Sequence, residues 1–236
     1  MDTVILTPSA SATSRAAAGP GSPGWSQRTS ALIAGSALAL MAVLSGFAVF
    51  GAIAPLITPG DAEKTATAIL GSETLFRSGI AILIVVVLLD VVVAIALFRV
   101  FERVNHGIST MAAGFRLVYS AVFLIAILQL ATAVTLLDDP EAALRAIESF
   151  YTIWYLGLIL FGVHLLLEGY LAYRSGFMAK IFGILLVIAG LGYVADGFGI
   201  MLVPNFTSTF SAFTFVGEVA LFLWLLIKGR ALPAHT

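Results

Sequence analysis

Six apolar runs, each close to the roughly 20 residues a helix needs to cross a bilayer, dictate most of what this chain can become. They lie near Ala31–Ile53, Leu75–Phe98, Met111–Thr135, Phe150–Tyr173, Ile181–Val203 and Phe210–Ile227. In hydrocarbon no water satisfies backbone N–H and C=O groups, so a run of this length folds as helix. Composition agrees, because 60% of the 236 residues are hydrophobic and only 11% are charged, against about 25% charged in soluble domains. The expected fold is all-α: an integral membrane six-helix bundle over residues 31–230, with both termini cytoplasmic and a short C-terminal tail at 231–236.

Residues 1–30, rich in Ser, Ala, Thr, Pro and Gly, cannot bury enough apolar surface to offset the entropy of ordering and read as a disordered cytoplasmic tail. The run that follows, Ala31–Ile57, outlasts the ~7–15-residue core of a signal peptide. Its one cleavage-like site, Ala52-Ile53-Ala54, precedes Pro55, so an uncleaved first helix is expected.

Orientation follows from where Lys and Arg fall between the spans. Arg15, Arg28, Arg99, Arg103, Arg116, Arg174, Lys180, Lys228 and Arg230 lie towards one side, nine in all, against Lys64, Arg77 and Arg145 on the other. The richer side reads as cytoplasmic, which places the protein in the inner (plasma) membrane of a bacterium. On the opposite side Asp61 announces a short surface helix reaching Leu70. Asp139-Pro140 supplies an N-cap acceptor and a first-turn proline for a helix beginning well before its apolar run. Tyr151, Trp154 and Tyr155 would then stand at the outer headgroup level. Asn205-Phe206-Thr207 matches a glycosylation acceptor pattern, of little weight in a tight loop.

A charge at the centre of a membrane helix costs about 2.5–3.5 kcal/mol on insertion scales, so it needs a partner, a proton or water. Asp90, Arg116, His164, Glu168, Asp196 and Glu218 all fall inside spans. Asp90 lies 13 residues before Arg103, and Arg116 lies 13 after it. With a turn centred there the two sit at one depth, and an Asp90–Arg116 ion pair, bidentate in the favourable case, is expected. It either locks a helical hairpin or serves as a substrate clamp or gate.

The stretch FGVHLLLEGYLAYRSG (Phe161–Gly176) sets His164 and Glu168 four residues apart, on one helix face. The same depth argument finds no cation opposite them on the following helix. A local His164–Glu168 hydrogen bond is the first expectation, with a proton relay beside it. One His and one Glu do not make a metal site by themselves. Arg174-Ser175-Gly176 reads as a helix stop. Asp196 would lie level with Thr214 and, with Glu218, form a polar seam. Gly183, Gly190 and Gly197 on the fifth span and Gly162 and Gly169 on the fourth repeat every seven residues, a close-packing signal.

Several functions are trimmed by composition. With no cysteine there is no disulfide framework, thiolate metal site or thiol nucleophile. No lysine lies inside a span, which excludes a retinal Schiff base, and one intramembrane histidine cannot supply bis-histidine haem ligation. No phosphate-binding glycine loop or GxSxG elbow is present. No cofactor is expected. A net charge of −1 gives no reason to expect nucleic acid. The partner is the lipid bilayer, with a homo-oligomer and an unidentified small-molecule ligand left open.

LLDVVVAIALF (Leu88–Phe98), FRLVYS (Phe115–Ser120), FGVHLLL with GYLAYRSG (Phe161–Gly176), GILLVIAGLGYVAD (Gly183–Asp196) and WLLIKG (Trp224–Gly229) together resemble the bacterial domain-of-unknown-function 4386 family. The resemblance implies a multi-helix inner-membrane protein without an assigned activity, and its matching positions are Asp90, Arg116, His164, Arg174, Ser175 and Asp196. Glu168 stands where the family is expected to hold a small or apolar residue, and Ala179-Lys180 replaces an expected Pro-Arg.

The leading expectation is a non-enzymatic transporter-like or sensory/accessory bundle. Three spans followed by three of opposite orientation would permit an inverted repeat, although no proline interrupts a span at mid-bilayer, as broken transporter helices would require. The alternatives are an intramembrane enzyme acting on a lipidic substrate and a structural or interaction protein. Convergence of the buried polar side chains on one cavity separates a site from a scaffold.

Overall fold

The computed structural model describes residues 25–204, 206, 207, 210 and 216–234. Among these every regular element is a helix. Five helices are long and apolar enough to cross a membrane, and Val216–Ile227 is a shorter apolar one. Helix α1 (Gln27–Gly46) opens on Ser26, whose side chain accepts from the Thr29 N–H. It therefore starts four residues before the expected Ala31, inside what was read as tail, while the rest of that tail up to Gly24 lies outside the described residues.

Beyond Gly46, α1 continues as π-helix over Phe47–Ile53 and as a 3₁₀ turn over Ala54–Leu56. Pro55 explains the change of register. It has no N–H to donate to Gly51 and its ring crowds the preceding turn, while the Ala54 N–H reaches Val49 O, five residues back. Irregular helix thus appears at the end of the first span away from Gln27, where the sequence suggested only a boundary.

Asp61 caps α2 (Ala62–Gly71), accepting from the Lys64 N–H at 3.0 Å. Helices α3 (Glu73–Phe101), α4 (His106–Thr135), α5 (Pro140–Arg174) and α6 (Lys180–Leu202) follow, with α7 at Val216–Ile227. Asp139 accepts from the Ala142 N–H at 3.0 Å with Pro140 in the first turn. This is the cap read from the sequence, and it gives α5 a turn or more outside the apolar run. After Arg174, Ser175 caps the helix and Gly176 turns the chain at φ 73°, a left-handed position that favours glycine. The helix stop at Arg174-Ser175-Gly176 is therefore present. Arg174 itself is exposed.

The seven-residue glycine repeat sets a close contact between α5 and α6. A Cβ on Gly190 would lie 2.6 Å from Gly162 O, and one on Gly169 would lie 2.8 Å from Gly183 O. Backbones of α5 and α6 touch along this seam, where only glycine leaves room.

One end of the bundle gathers the basic residues. The Arg28 N–H donates to Pro233 O at 3.2 Å and Gln27 Nε2 donates to Val100 O at 2.8 Å. Phe101 and Phe177, beside the two tight hairpin turns, stack with centroids 5.8 Å apart. The start of α1, the α3–α4 turn, the α5–α6 turn and the end of α7 therefore share one side. Arg116 does not belong to that group, being buried at 3% exposure, and Arg15 lies outside the described residues, so seven of the nine basic residues stand there among the described residues.

Candidate functional site

Asp90 on α3 and Arg116 on α4 form the expected buried ion pair, but not as a two-oxygen fork. Arg116 Nε and Nη2 both donate to Asp90 Oδ1, at 2.9 and 2.5 Å. Oδ2 is taken by the Ser120 hydroxyl at 2.7 Å. Ser120 lies one turn after Arg116 on the same face and its hydroxyl also reaches Arg116 O, at 2.9 Å. The i+4 spacing of Arg116 and Ser120 within FRLVYS is the sequence signal for this contact.

His164 finds its cation on α4 instead of on the following helix. Arg116 Nη1 donates to His164 Nε2 at 3.0 Å. The hairpin argument compared α5 only with α6, whereas α4 packs on another face of α5. Arg116 is 10 residues after the start of α4 at His106, and His164 is 10 before the end of α5 at Arg174. Both ends lie on the basic side, so the two side chains meet at one depth.

This geometry also sets the imidazole tautomer. Guanidinium has no acceptor, so Nε2 must accept, and the hydrogen sits on Nδ1, which donates to Ala112 O at 2.9 Å. Both ring nitrogens are used. Phe161 closes the network: the Arg116 guanidinium carbon lies 5.3 Å from its ring centroid, within cation–π range.

The local His164–Glu168 hydrogen bond is likewise absent. Glu168 is buried one turn nearer the basic end, and its Oε2 has no hydrogen-bond partner among the described residues. Expected hydrogen-bond reach at i,i+4 failed because His164 had better partners across the helix interface. Asp196 is fully buried on α6, where Oδ1 accepts from the Phe210 N–H at 3.1 Å. Thr214 and Asn205 lie outside the described residues, so the Asp196–Thr214–Glu218 seam is not described. Glu218 instead accepts from the Tyr193 hydroxyl at 2.7 Å.

Above the ion pair, on the side away from the basic end, the bundle holds a half-open cavity of about 450 Å³. Its floor is Asp90, Arg116 and Tyr119; Tyr193 and Glu218 line it from α6 and α7. Met41, Gly46 and Phe50 of α1 line it as well, so part of one wall is the π-helical segment. Trp154 Nε1 donates to the Tyr119 hydroxyl at 3.3 Å. Asp90, Arg116 and Glu218 thus border one space, with His164 joined to it through Arg116. Glu168, Asp196 and Arg174 are not among its lining residues.

A family profile described as "Domain of unknown function (DUF4386)" matches residues 33–229. A protein from the archaeon Archaeoglobus fulgidus, bearing the name "Uncharacterized protein", is 39% identical over 147 residues, which are 62% of this chain and 81% of that one. No solved structure matches. The matched segment contains all the residues of the network and the cavity.

Proposed function

This chain belongs to the DUF4386 family, a membership that carries no activity with it, and from the cavity we propose a non-enzymatic, ligand-binding bundle of the cell membrane, transporter-like or sensory. The observation that carries this reading is a cavity of about 450 Å³ bordered by Asp90, Arg116 and Glu218 at membrane depth. Sites for small ligands are concave, largely apolar, about 300–1,000 Å³, and carry a few placed polar groups. The π-helical stretch of α1 beside it is the irregular backbone that binding helices tend to use.

An intramembrane enzyme has less behind it. A general base needs a free lone pair within reach of a substrate proton, and both nitrogens of His164 are occupied. Asp90 holds three donors already. The basic end of the bundle is assigned to the cytoplasm by the excess of Lys and Arg there, with both termini inside the cell. Reporter fusions at the C-terminus and in the Asp61 loop test this; an active external reporter at the C-terminus refutes it.

Binding is tested by ligand-induced thermal stabilisation of the purified chain across a panel of small amphiphiles. Gly46→Trp should remove the response, because a Cβ there meets nothing within 4 Å and the indole fills the cavity. A panel response that survives Gly46→Trp places binding elsewhere.

A further inference from the structure

The cavity's charges do not cancel, and its walls are unusually rich in rings. Asp90 and Arg116 neutralise each other. Arg116 commits three of its five N–H donors inside the protein, Nε and Nη2 to Asp90 and Nη1 to His164, and Phe161 covers one face of the guanidinium. Glu218 differs. The ion pairs among the described residues are Arg77–Glu73, Arg99–Glu102 and Arg116–Asp90, so its carboxyl faces the cavity with the Tyr193 hydroxyl and no cation within salt-bridge distance. A buried carboxylate without a counter-charge is costly.

Around it runs a continuous series of rings. Phe150 and Trp154 have centroids 5.7 Å apart, Trp154 and Phe123 5.9 Å, Phe123 and Tyr119 5.9 Å. Tyr119 and Phe161 follow at 4.8 Å, and Phe161 meets Tyr193 edge-on at 5.4 Å. All six line the cavity. Ring faces attract a cation within about 6 Å of their centroids, more strongly where water is excluded.

We propose that this cavity binds a lipophilic organic cation, with Glu218 as counter-charge and the Trp154–Tyr119–Phe161–Tyr193 series as its aromatic wall. The proposal rests on the cavity being a ligand site, and it adds the ligand's chemical class. A lipophilic cation matches both features: it supplies the charge Glu218 lacks and the apolar surface that the rings would cover. An anion would face Glu218 beside an arginine whose charge Asp90 already neutralises. A neutral molecule would leave the carboxyl uncompensated.

The test uses the purified full chain in detergent, with saturable binding of labelled tetraphenylphosphonium measured over protein-free micelles. Tetraphenylborate supplies the same shape with opposite charge, and triphenylphosphine oxide a neutral analogue. The phosphonium should bind at least tenfold more tightly than either. Glu218→Gln keeps the side-chain volume and an acceptor for Tyr193, and should weaken phosphonium binding at least tenfold. Trp154→Leu should weaken it several-fold, and Gly46→Trp should abolish it. Equal binding of the borate or the oxide, or an undiminished Glu218→Gln, overturns the cation assignment. If such binding still disappears in Gly46→Trp, the cavity remains the ligand site. If no probe binds saturably, the assignment and the ligand-site reading fall together. The comparison of the three probes on the unaltered chain decides the matter even if a variant does not fold.

Discussion

Replacing Arg116 by Met should be among the most damaging single changes available to this protein. It removes both donors from Asp90 Oδ1 and the donor to His164 Nε2. Asp90, 2% exposed, keeps the Ser120 hydroxyl as its one described donor. Breaking a buried ion pair from one side costs about 3–5 kcal/mol, because a bare charge remains. Removing both members is different. In Asp90→Leu with Arg116→Met the charge is gone, and Ser120 still has Arg116 O, a backbone acceptor the substitution leaves in place. The polar atom left without its partner is His164 Nε2, which costs about 1–3 kcal/mol. That cost is common to both variants and cancels, so the double variant should be more stable than Arg116→Met by about 3–5 kcal/mol, the cost of the bare Asp90 charge. Reversible unfolding of the purified chain in mixed micelles measures all the corners of this cycle. A double variant no more stable than Arg116→Met would refute the idea that the uncompensated Asp90 charge dominates the loss. A residue swap, Asp90→Arg with Arg116→Asp, is a poorer rescue than hairpin symmetry alone suggests. It would set a carboxylate against the accepting nitrogen of His164.

Other outcomes follow from particular contacts. Glu168→Met should leave stability unchanged or raise it, since Oε2 has no partner among the described residues and an isosteric apolar chain avoids desolvating a carboxyl; a loss above about 2 kcal/mol on the same unfolding assay would point to a partner for the carboxyl. Gly190→Ala should destabilise by about 1–3 kcal/mol through forced separation of α5 and α6, whereas Gly114→Ala, whose Cβ meets nothing within 4 Å, should be neutral or mildly stabilising in thermal unfolding. Asp139→Ala removes the acceptor for the Ala142 N–H and should cost about 1 kcal/mol, with Asp139→Asn restoring most of it.

The sequence by itself determined what local chemistry controls. Apolar length fixes spans because hydrocarbon leaves the backbone no alternative to helix. Asp61, Asp139-Pro140 and Ser175-Gly176 mark helix ends through bonds and dihedrals confined to a few residues. The Gly183/Gly190/Gly197 repeat states a close packing that any neighbouring helix must respect. Even the Asp90–Arg116 pair was legible, because a tight turn makes depth a matter of counting residues.

The tertiary structure decided what that counting cannot reach. Whether His164 meets Glu168 or Arg116 depends on how α4 and α5 rotate about their axes, and the four residues that join them, 136–139, say nothing about rotation. Packing turned His164 towards α4, left Glu168 alone one turn away, and sent Asp196 to the backbone at Phe210. The cavity is a property of several helices at once: Phe150, Tyr193 and Glu218 border one space because three separate interfaces leave it unfilled. No stretch of sequence contains that space, and only the assembled bundle gives Glu218 an aromatic enclosure in which its charge has consequences.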